Sequence, residues 1–173
     1  MKRTNSIQIR SERADDIASV HALNRAAFET SIEADLVDAL RERAKPIISL
    51  VADEAGSIVG HILFSPVTLS EYAELKIMGL APMAVLPAEQ RRGIGSALVR
   101  AGLERCKQIG YGAVVVLGHP EYYPRFDFVP ASRFGVSCEY EVADEVFMAL
   151  ELEAGILRGK SGTIRYHAAF ANL

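Results

Sequence analysis

Cysteine is scarce in this chain: Cys106 and Cys138 are the only two, and neither has a CxxC partner. That excludes a disulfide framework, gives no sign of a thiolate zinc site and suits a reducing compartment. A basic excess is missing too. Nineteen Lys and Arg stand against 22 Asp and Glu, a net charge of −3, so no global pull toward nucleic acid is expected. No apolar run approaches the ~20 residues that span a bilayer. Met1-Lys2-Arg3 is followed by polar Thr4-Asn5-Ser6, where a signal peptide needs an apolar block. The expectation is a soluble cytoplasmic protein with neither a membrane nor a nucleic-acid partner. No internal repeat, low-complexity tract or linker interrupts the 173 residues. That length suits one domain, 1-173, with a sizeable core.

What is present is an alternation of strand-like and helix-like segments. Ile7-Gln8-Ile9 alternates and predicts a first strand. Asp15 and Asp16 favour a helix N-terminus, and Ile17, Val20, Leu23 and Ala27 mark its buried stripe. A second helix carries Ile32, Leu36, Val37 and Leu40 on one face and ends before Pro46. Ile47 to Ala52 and Ser57 to Leu69 read as a hairpin about Asp53-Glu54-Ala55-Gly56. Lys76 to Val85 is the next strand. The valine-rich Ala113 to Leu117, directly after a helix, reads as a buried strand parallel to the strand before that helix. Val136 to Tyr140, Glu145 to Leu152 and a short Thr163 to Tyr166 complete the strands. Pro66 and Pro82 cannot donate to a ladder, so each marks an edge, a bulge or a parting of strands. The order predicts an α/β (α+β) domain with strands of mixed direction.

The most informative stretch is Val85-Leu86-Pro87-Ala88-Glu89-Gln90-Arg91-Arg92-Gly93-Ile94-Gly95-Ser96. It reads as a strand end, a basic glycine-bearing turn and the start of an amphipathic helix, on which Ile94, Ala97, Leu98 and Ala101 recur at helical spacing. The helix runs to Ile109, with Gly110 as its C-cap. Gly93 and Gly95 permit close backbone approach by a ligand. The helix start supplies unpaired N–H groups and the positive dipole end, and Arg91 and Arg92 add charge. Together these predict a phosphate or pyrophosphate site. It is not a Walker A loop, since no Gly-Lys-Ser/Thr follows. Nor is it the dinucleotide fingerprint, because Leu98 takes the third small position.

The run Gln90-Arg91-Arg92-Gly93-Ile94-Gly95 resembles the Q/R-x-x-G-x-G/A signature of the GCN5-related N-acetyltransferases (GNAT), in the strand–turn–helix setting that family gives it. Tyr123-Pro124-Arg125-Phe126-Asp127-Phe128 resembles the family's Y-x-x-x-G-F segment, with Asp127 in place of its glycine. The Gly-His-Pro-Glu-Tyr-Tyr-Pro-Arg-Phe stretch is similar to a YhbS-like bacterial subgroup of predicted acetyltransferases. The resemblance covers Ile7 to Leu152. It implies a GNAT fold: a mixed, mostly antiparallel sheet of six to seven strands, about four helices, and a central parallel pair splayed to admit the pantetheine arm of acetyl-CoA. Met83, Ala84 and Val85 would offer backbone groups to that arm, one N–H polarising the thioester carbonyl. Gln90, Arg91, Arg92, Gly93, Ile94, Gly95 and Ser96 would hold the pyrophosphate. The implied activity is direct transfer of acetyl to a primary amine, on a small molecule or a protein, with no metal. Tyr123 stands at the family's general-acid position. An asparagine often found early in the family's next helix has no counterpart here, where Gly118 or His119 occupies the region.

No motif marks the base that takes a proton from the amine. Glu29, Glu33, His119 and Glu121 are the candidates, on segments able to line the cleft. Plainer readings stand beside these. Tyr123 belongs to an aromatic cluster with Tyr122, Phe126 and Phe128, and reads equally as a core tyrosine. His119 reads as a structural loop histidine, and His21, His61, Cys106, Met78 and Met83 as packing. The alternative function is a non-catalytic acyl-CoA-binding or sensing module on the same fold. Exposed strand edges near the C-terminus allow a homodimer.

Overall fold

The alternating and apolar segments become nine strands and three α-helices among residues 6–172, which a computed structural model describes. Residues 1–5 and 173, and with them the Met1-Lys2-Arg3 opening, lie outside the described residues. The elements are β1 (Ile7–Ser11), α1 (Ile17–Ala27), α2 (Ile32–Arg43), β2 (Ile48–Glu54), β3 (Ser57–Leu69), β4 (Ile77–Val85), α3 (Ile94–Gln108), β5 (Ala113–Leu117), β6 (Val129–Pro130), β7 (Val136–Cys138), β8 (Phe147–Glu151) and β9 (Gly162–Arg165). The main sheet runs β1-β2-β3-β4-β5-β8-β6. Its pairs are antiparallel except β4–β5, which α3 joins as a crossover.

The strand count exceeds the expected six to seven for two reasons. β6 is a two-residue bridge onto β8, and β7 and β9 form a small parallel pair of their own that hangs on the end of β3. Three α-helices stand where the resemblance implied about four; the segment after β5 holds a 3-10 turn, Tyr123–Phe126, with Pro124 near its start. Asp127 ends that turn at φ 72°, the left-handed conformation that favours glycine but that Asp tolerates better than most residues. The family's glycine is thus replaced without loss of the turn.

The two prolines act as their chemistry requires. β2 stops pairing with β3 at Phe64, and β9 begins only at Thr68, so Pro66 lies where no ladder asks for its missing N–H on that side. At Pro82 the register with β3 slips: Ile62 faces Met83 while Phe64 faces Leu80, so Ala81 and Pro82 together oppose Leu63.

The sheet is covered on both faces. On one, α3 buries Ile94, Leu98, Val99 and Cys106 against Phe64, Met78, Leu80, Val114 and Val116. Each large apolar side chain so buried contributes roughly 1.5–3 kcal/mol. The fit is close at Gly102, where a Cβ would stand 2.1 Å from Phe64 Cε2. On the other face α1 and α2 pack Val20, Leu36, Val37 and Leu40 on Val51 and Leu63. The C-terminal strands add Val136 and Ile164 beside Val67, Ile77 and Val115. The α1 stripe departs from expectation at its first turn, where Ile17 is exposed, while Asn24 is buried in its place.

Candidate active site at the forked strands

The parallel pair is short. β4 and β5 share rungs from Ile77↔Ala113 to Leu80↔Val116 and then part, so residues 81–85 have no partner on that side. Leu86 N–H donates to the Val59 carbonyl of β3 at 3.0 Å. Backbone direction alternates along a strand, so Ala84 also turns its polar groups to β3, opposite His61. Met83 and Val85 turn theirs into the gap. The expectation that all three residues offer backbone to a ligand is corrected to these two. The Val85 carbonyl already accepts a bond from Gln90 Nε2 at 3.3 Å.

At the end of the gap stands the glycine turn. Arg91 (φ 66°) and Gly93 (φ 79°) both hold left-handed backbone, which turns the chain into α3. The first bond within α3 runs from Ala97 N–H to the Gly93 carbonyl. No side chain caps the helix. The N–H groups of Ile94, Gly95 and Ser96 therefore face the turn, as helix starts require. A cavity of about 370 Å³ lies there, lined by Val85, Gln90, Arg91, Gly93, Gly95, Ser96, Tyr122 and Arg125 among others. Arg92 is not among its lining residues. Its guanidinium is held by Glu54 at 2.9 Å and by Glu89. Of the two arginines expected to charge the anion site, only Arg91 lines the cavity, and Arg125 lines it as well. Arg125 stacks on the Tyr122 ring at 4.3 Å and donates to the Tyr122 carbonyl. One of Arg92's partners, Glu89, is local, but Glu54 comes from the β2–β3 hairpin and is not apparent from the turn itself.

The adjacent tyrosines take different places. Tyr122 Oη lies 3.0 Å from Ser96 Oγ, at the anion turn. Tyr123 is 7% exposed and packs edge-on against Tyr122 and Phe128. Its ring rests on Gly118, where a Cβ would meet Cε2 at 2.3 Å. That contact explains a glycine at the start of the loop. Burial, and secondarily Tyr122, pushes the Tyr123 phenol up to about 12, so it is protonated at neutral pH. A second cavity, of about 350 Å³, opens where the strands part and is lined by Leu80, Ala81 and Leu117 with Tyr140, Tyr166, Phe170 and Ala171.

Of the base candidates, Glu29, His119 and Glu121 are exposed and Glu33 is half-buried. None of the four lines either cavity. Glu33 accepts a long bond from Thr30 Oγ1. His61 lies in a structural knot. Its ring is fully buried, with Nε2 2.8 Å from Ser49 Oγ and Nδ1 3.4 Å from Asn24 Nδ2. Ser49 in turn donates to Glu12, which Arg41 clamps at 2.7 and 3.0 Å. Burial lowers the His61 pKa to about 4, so the ring is neutral. Cys106 is buried too, its thiol pushed up to about 12. His21, Asp35 and Asp38 gather three ligand atoms within 4.8 Å, but Arg41 already answers Asp38. No helix among the described residues is long and apolar enough to cross a membrane.

Residues 8–131 match the family model described as an acetyltransferase (GNAT) domain. The sequence is similar to the uncharacterized N-acetyltransferase YhbS of Escherichia coli, 36% identical over 163 residues, covering 94% of this chain and 97% of that protein. It is also similar to E. coli YjhQ, another uncharacterized N-acetyltransferase, 40% identical over 134 residues, covering 75% and 74%. The fold superposes on the crystal structure of E. coli YhbS in complex with CoA at a TM-score of 0.92, with 33% identity and coverage of 99% and 95%. A GNAT acetyltransferase from Brucella melitensis in complex with acetyl-CoA matches at 0.80, with 37% identity and coverage of 96% and 99%.

Proposed function

This chain belongs to the GNAT acetyltransferase family, and from that premise we propose that it moves an acetyl group from acetyl-CoA to a primary amine by direct attack. The observation that carries the reading is the fork: parallel strands that stop pairing after Leu80 and Val116, with an anion cavity at the end of the gap. The two solved relatives hold CoA and acetyl-CoA, which supports the same donor here. The pantetheine arm lies along β4 as a substitute strand, bonded to the backbone of Met83 and Val85 in place of the Gln90 amide. The pyrophosphate rests on the N–H groups of Ile94, Gly95 and Ser96, with the guanidiniums of Arg91 and Arg125 beside it.

In the transfer, a neutral amine nitrogen bonds to the thioester carbonyl carbon as the carbon–sulfur bond breaks. The Met83 N–H faces the gap past the fork. It stabilises the charge that collects on the carbonyl oxygen. One proton leaves the nitrogen and one reaches the sulfur, giving an amide and the free thiol. Tyr123 acts at the sulfur. Its phenol, held at about 12, is a weaker acid than an ordinary thiol at about 8.5. It therefore steadies the developing thiolate by a hydrogen bond, and solvent completes the protonation.

One observation favours a second reading, a non-catalytic acyl-CoA-binding module: Glu29, Glu33, His119 and Glu121 all lie off the two cavity walls. Calorimetry with acetyl-CoA, followed by thiol release across an amine panel, separates the readings. Binding with release for one or more amines supports transfer. Binding with no release supports the module, and no binding refutes both.

A further inference from the structure

We infer that the acceptor is a small monoamine carried on an aromatic or branched aliphatic body, seated in the apolar cavity behind the fork. The inference rests on the acetyl-transfer reading. Ala81 and Leu117, which line the cavity, are the first residues past the last β4–β5 rung. The wall facing them comes from the C-terminal segment. Tyr166 packs over Gly79, where a Cβ would stand 3.1 Å from its Cε1. Met78 and Leu80, on either side of Gly79, belong to the face covered by α3, so by strand alternation Tyr166 lies on the opposite face. A donor held at the α3 start and an acceptor held by Tyr166 thus approach the gap from opposite sides of the sheet.

The wall chemistry selects the occupant. Among the described residues, no charged side chain lines the cavity. The Glu139 carboxylate, next in sequence to Tyr140, accepts from the Tyr166 N–H at 2.8 Å and is not part of the cavity lining. An ammonium seated on this wall would be desolvated without a counter-ion in the lining. The amine therefore enters neutral, which is the form that attacks, and every additional positive charge counts against a ligand. Polyamines and aminoglycoside-like polycations are disfavoured on this ground. The aromatic side chains favour an apolar body. Tyr140 and Tyr166 have ring centroids 5.9 Å apart, and Tyr166 and Phe170 are 5.2 Å apart, leaving faces and edges for a further ring. The Tyr166 hydroxyl is buried and without a hydrogen-bond partner. At about 350 Å³ the cavity stands at the low end of the ~300–1,000 Å³ usual for small-molecule sites. That suits one ring with a short arm, not a peptide segment.

The test compares 2-phenylethylamine, spermidine and a tripeptide with a free N-terminus as acceptors, by thiol release at saturating acetyl-CoA, with acetyl-CoA affinity measured separately by calorimetry. 2-Phenylethylamine is expected to exceed both others in kcat/KM by about tenfold or more. Tyr140→Ala removes a ring that is 38% exposed. It should raise the KM for 2-phenylethylamine about tenfold and leave acetyl-CoA affinity unchanged. Leu117→Glu places a carboxylate at the mouth and should shift preference toward spermidine. A preference of the parent protein for spermidine or the peptide, or a KM untouched by Tyr140→Ala, overturns the inference while acetyl transfer stands. Acetyl-CoA binding without thiol release for any of the amines overturns the transfer reading, and this inference with it.

Discussion

Replacing Gly95 by alanine should stabilise the free protein and weaken its hold on acetyl-CoA. Gly95 is the second residue of α3, and its backbone is not left-handed. A Cβ there would lie 3.4 Å from Tyr122 Oη and 3.6 Å from Met83 Cε, ordinary contact distances. The folded chain therefore accepts the methyl without strain. Alanine loses less backbone entropy on folding than glycine, worth roughly 0.5–1 kcal/mol within a helix. For a chain of this size that is a rise of about 1–4 °C in Tm. The same methyl fills the space between Tyr122 and Met83, where the anion cavity meets the strand gap. Loss of one charge-assisted backbone bond to the pyrophosphate costs about 1.5–3 kcal/mol, which is roughly tenfold to a hundredfold in Kd. Thermal melts followed by circular dichroism, with calorimetry on acetyl-CoA, read both effects. Gly93→Ala is the control of opposite sign: at φ 79° alanine is strained by about 1–2 kcal/mol, and Tm should fall. A Gly95→Ala protein that melts lower, or that binds acetyl-CoA as tightly as the parent, refutes the reasoning.

The two arginines of the turn should separate. Arg91→Ala is expected to weaken acetyl-CoA binding about tenfold, and Arg92→Ala, which removes a group already paired with Glu54 and Glu89, to change it less than about threefold; calorimetry on the pair decides. Tyr123→Phe should lower kcat with coenzyme affinity kept, while Tyr122→Phe, which breaks the contact with Ser96, should act on coenzyme affinity first; steady-state kinetics showing the reverse would exchange their roles. His61 is depressed to about 4 by burial, while Glu12 opposes and Arg41 assists that shift. The unfolded chain therefore takes up a proton near pH 6.5 that the folded chain refuses until about pH 4. Stability is full above pH 6.5 and should fall by on the order of 3 kcal/mol as pH drops to about 4. Urea midpoints across that range should flatten in His61→Gln. Tyr166→Phe removes a buried hydroxyl with no partner and should leave Tm unchanged or raised, unlike the loss of about 1 kcal/mol typical of a bonded hydroxyl.

The legible parts of this protein are those fixed by neighbours in sequence. The glycine turn, the start of α3 and the parting at Pro82 each follow from a few consecutive residues, and the structure has all three. The hairpin about residues 53–56 is equally local. What escaped depends on distant pairing. Arg91 and Arg92 read alike until Glu54 takes one of them. Tyr122 reads only as a member of the aromatic cluster until the 3-10 turn sends it to Ser96 and Tyr123 onto Gly118. Tyr140, Tyr166 and Phe170 carry no motif, and only the β7–β9 pairing and the C-terminal turn bring them to the fork. β6 is too short to leave a periodic signal. The anion end of the site is thus written in one stretch, and the opposite wall is assembled from scattered ones.

That difference has a mechanical side. β3 leaves β2 at Phe64 and takes up β9 from Thr68, so one continuous strand serves as a beam under both sheets. The small β7–β9 pair joins that beam through two rungs, Thr68↔Arg165 and Leu69↔Ile164, and a bond from the Ser70 N–H to the Thr163 carbonyl at 3.0 Å. The rungs lie past Pro66, beyond the part of β3 that faces Met83, Ala84 and Val85. The β7–β9 unit is therefore an outrigger on a fixed hull. Its ladder is separate from the rungs that set the register of the strands flanking the gap. Divergence among relatives is expected to concentrate on the outrigger, with the glycine turn and the fork held constant.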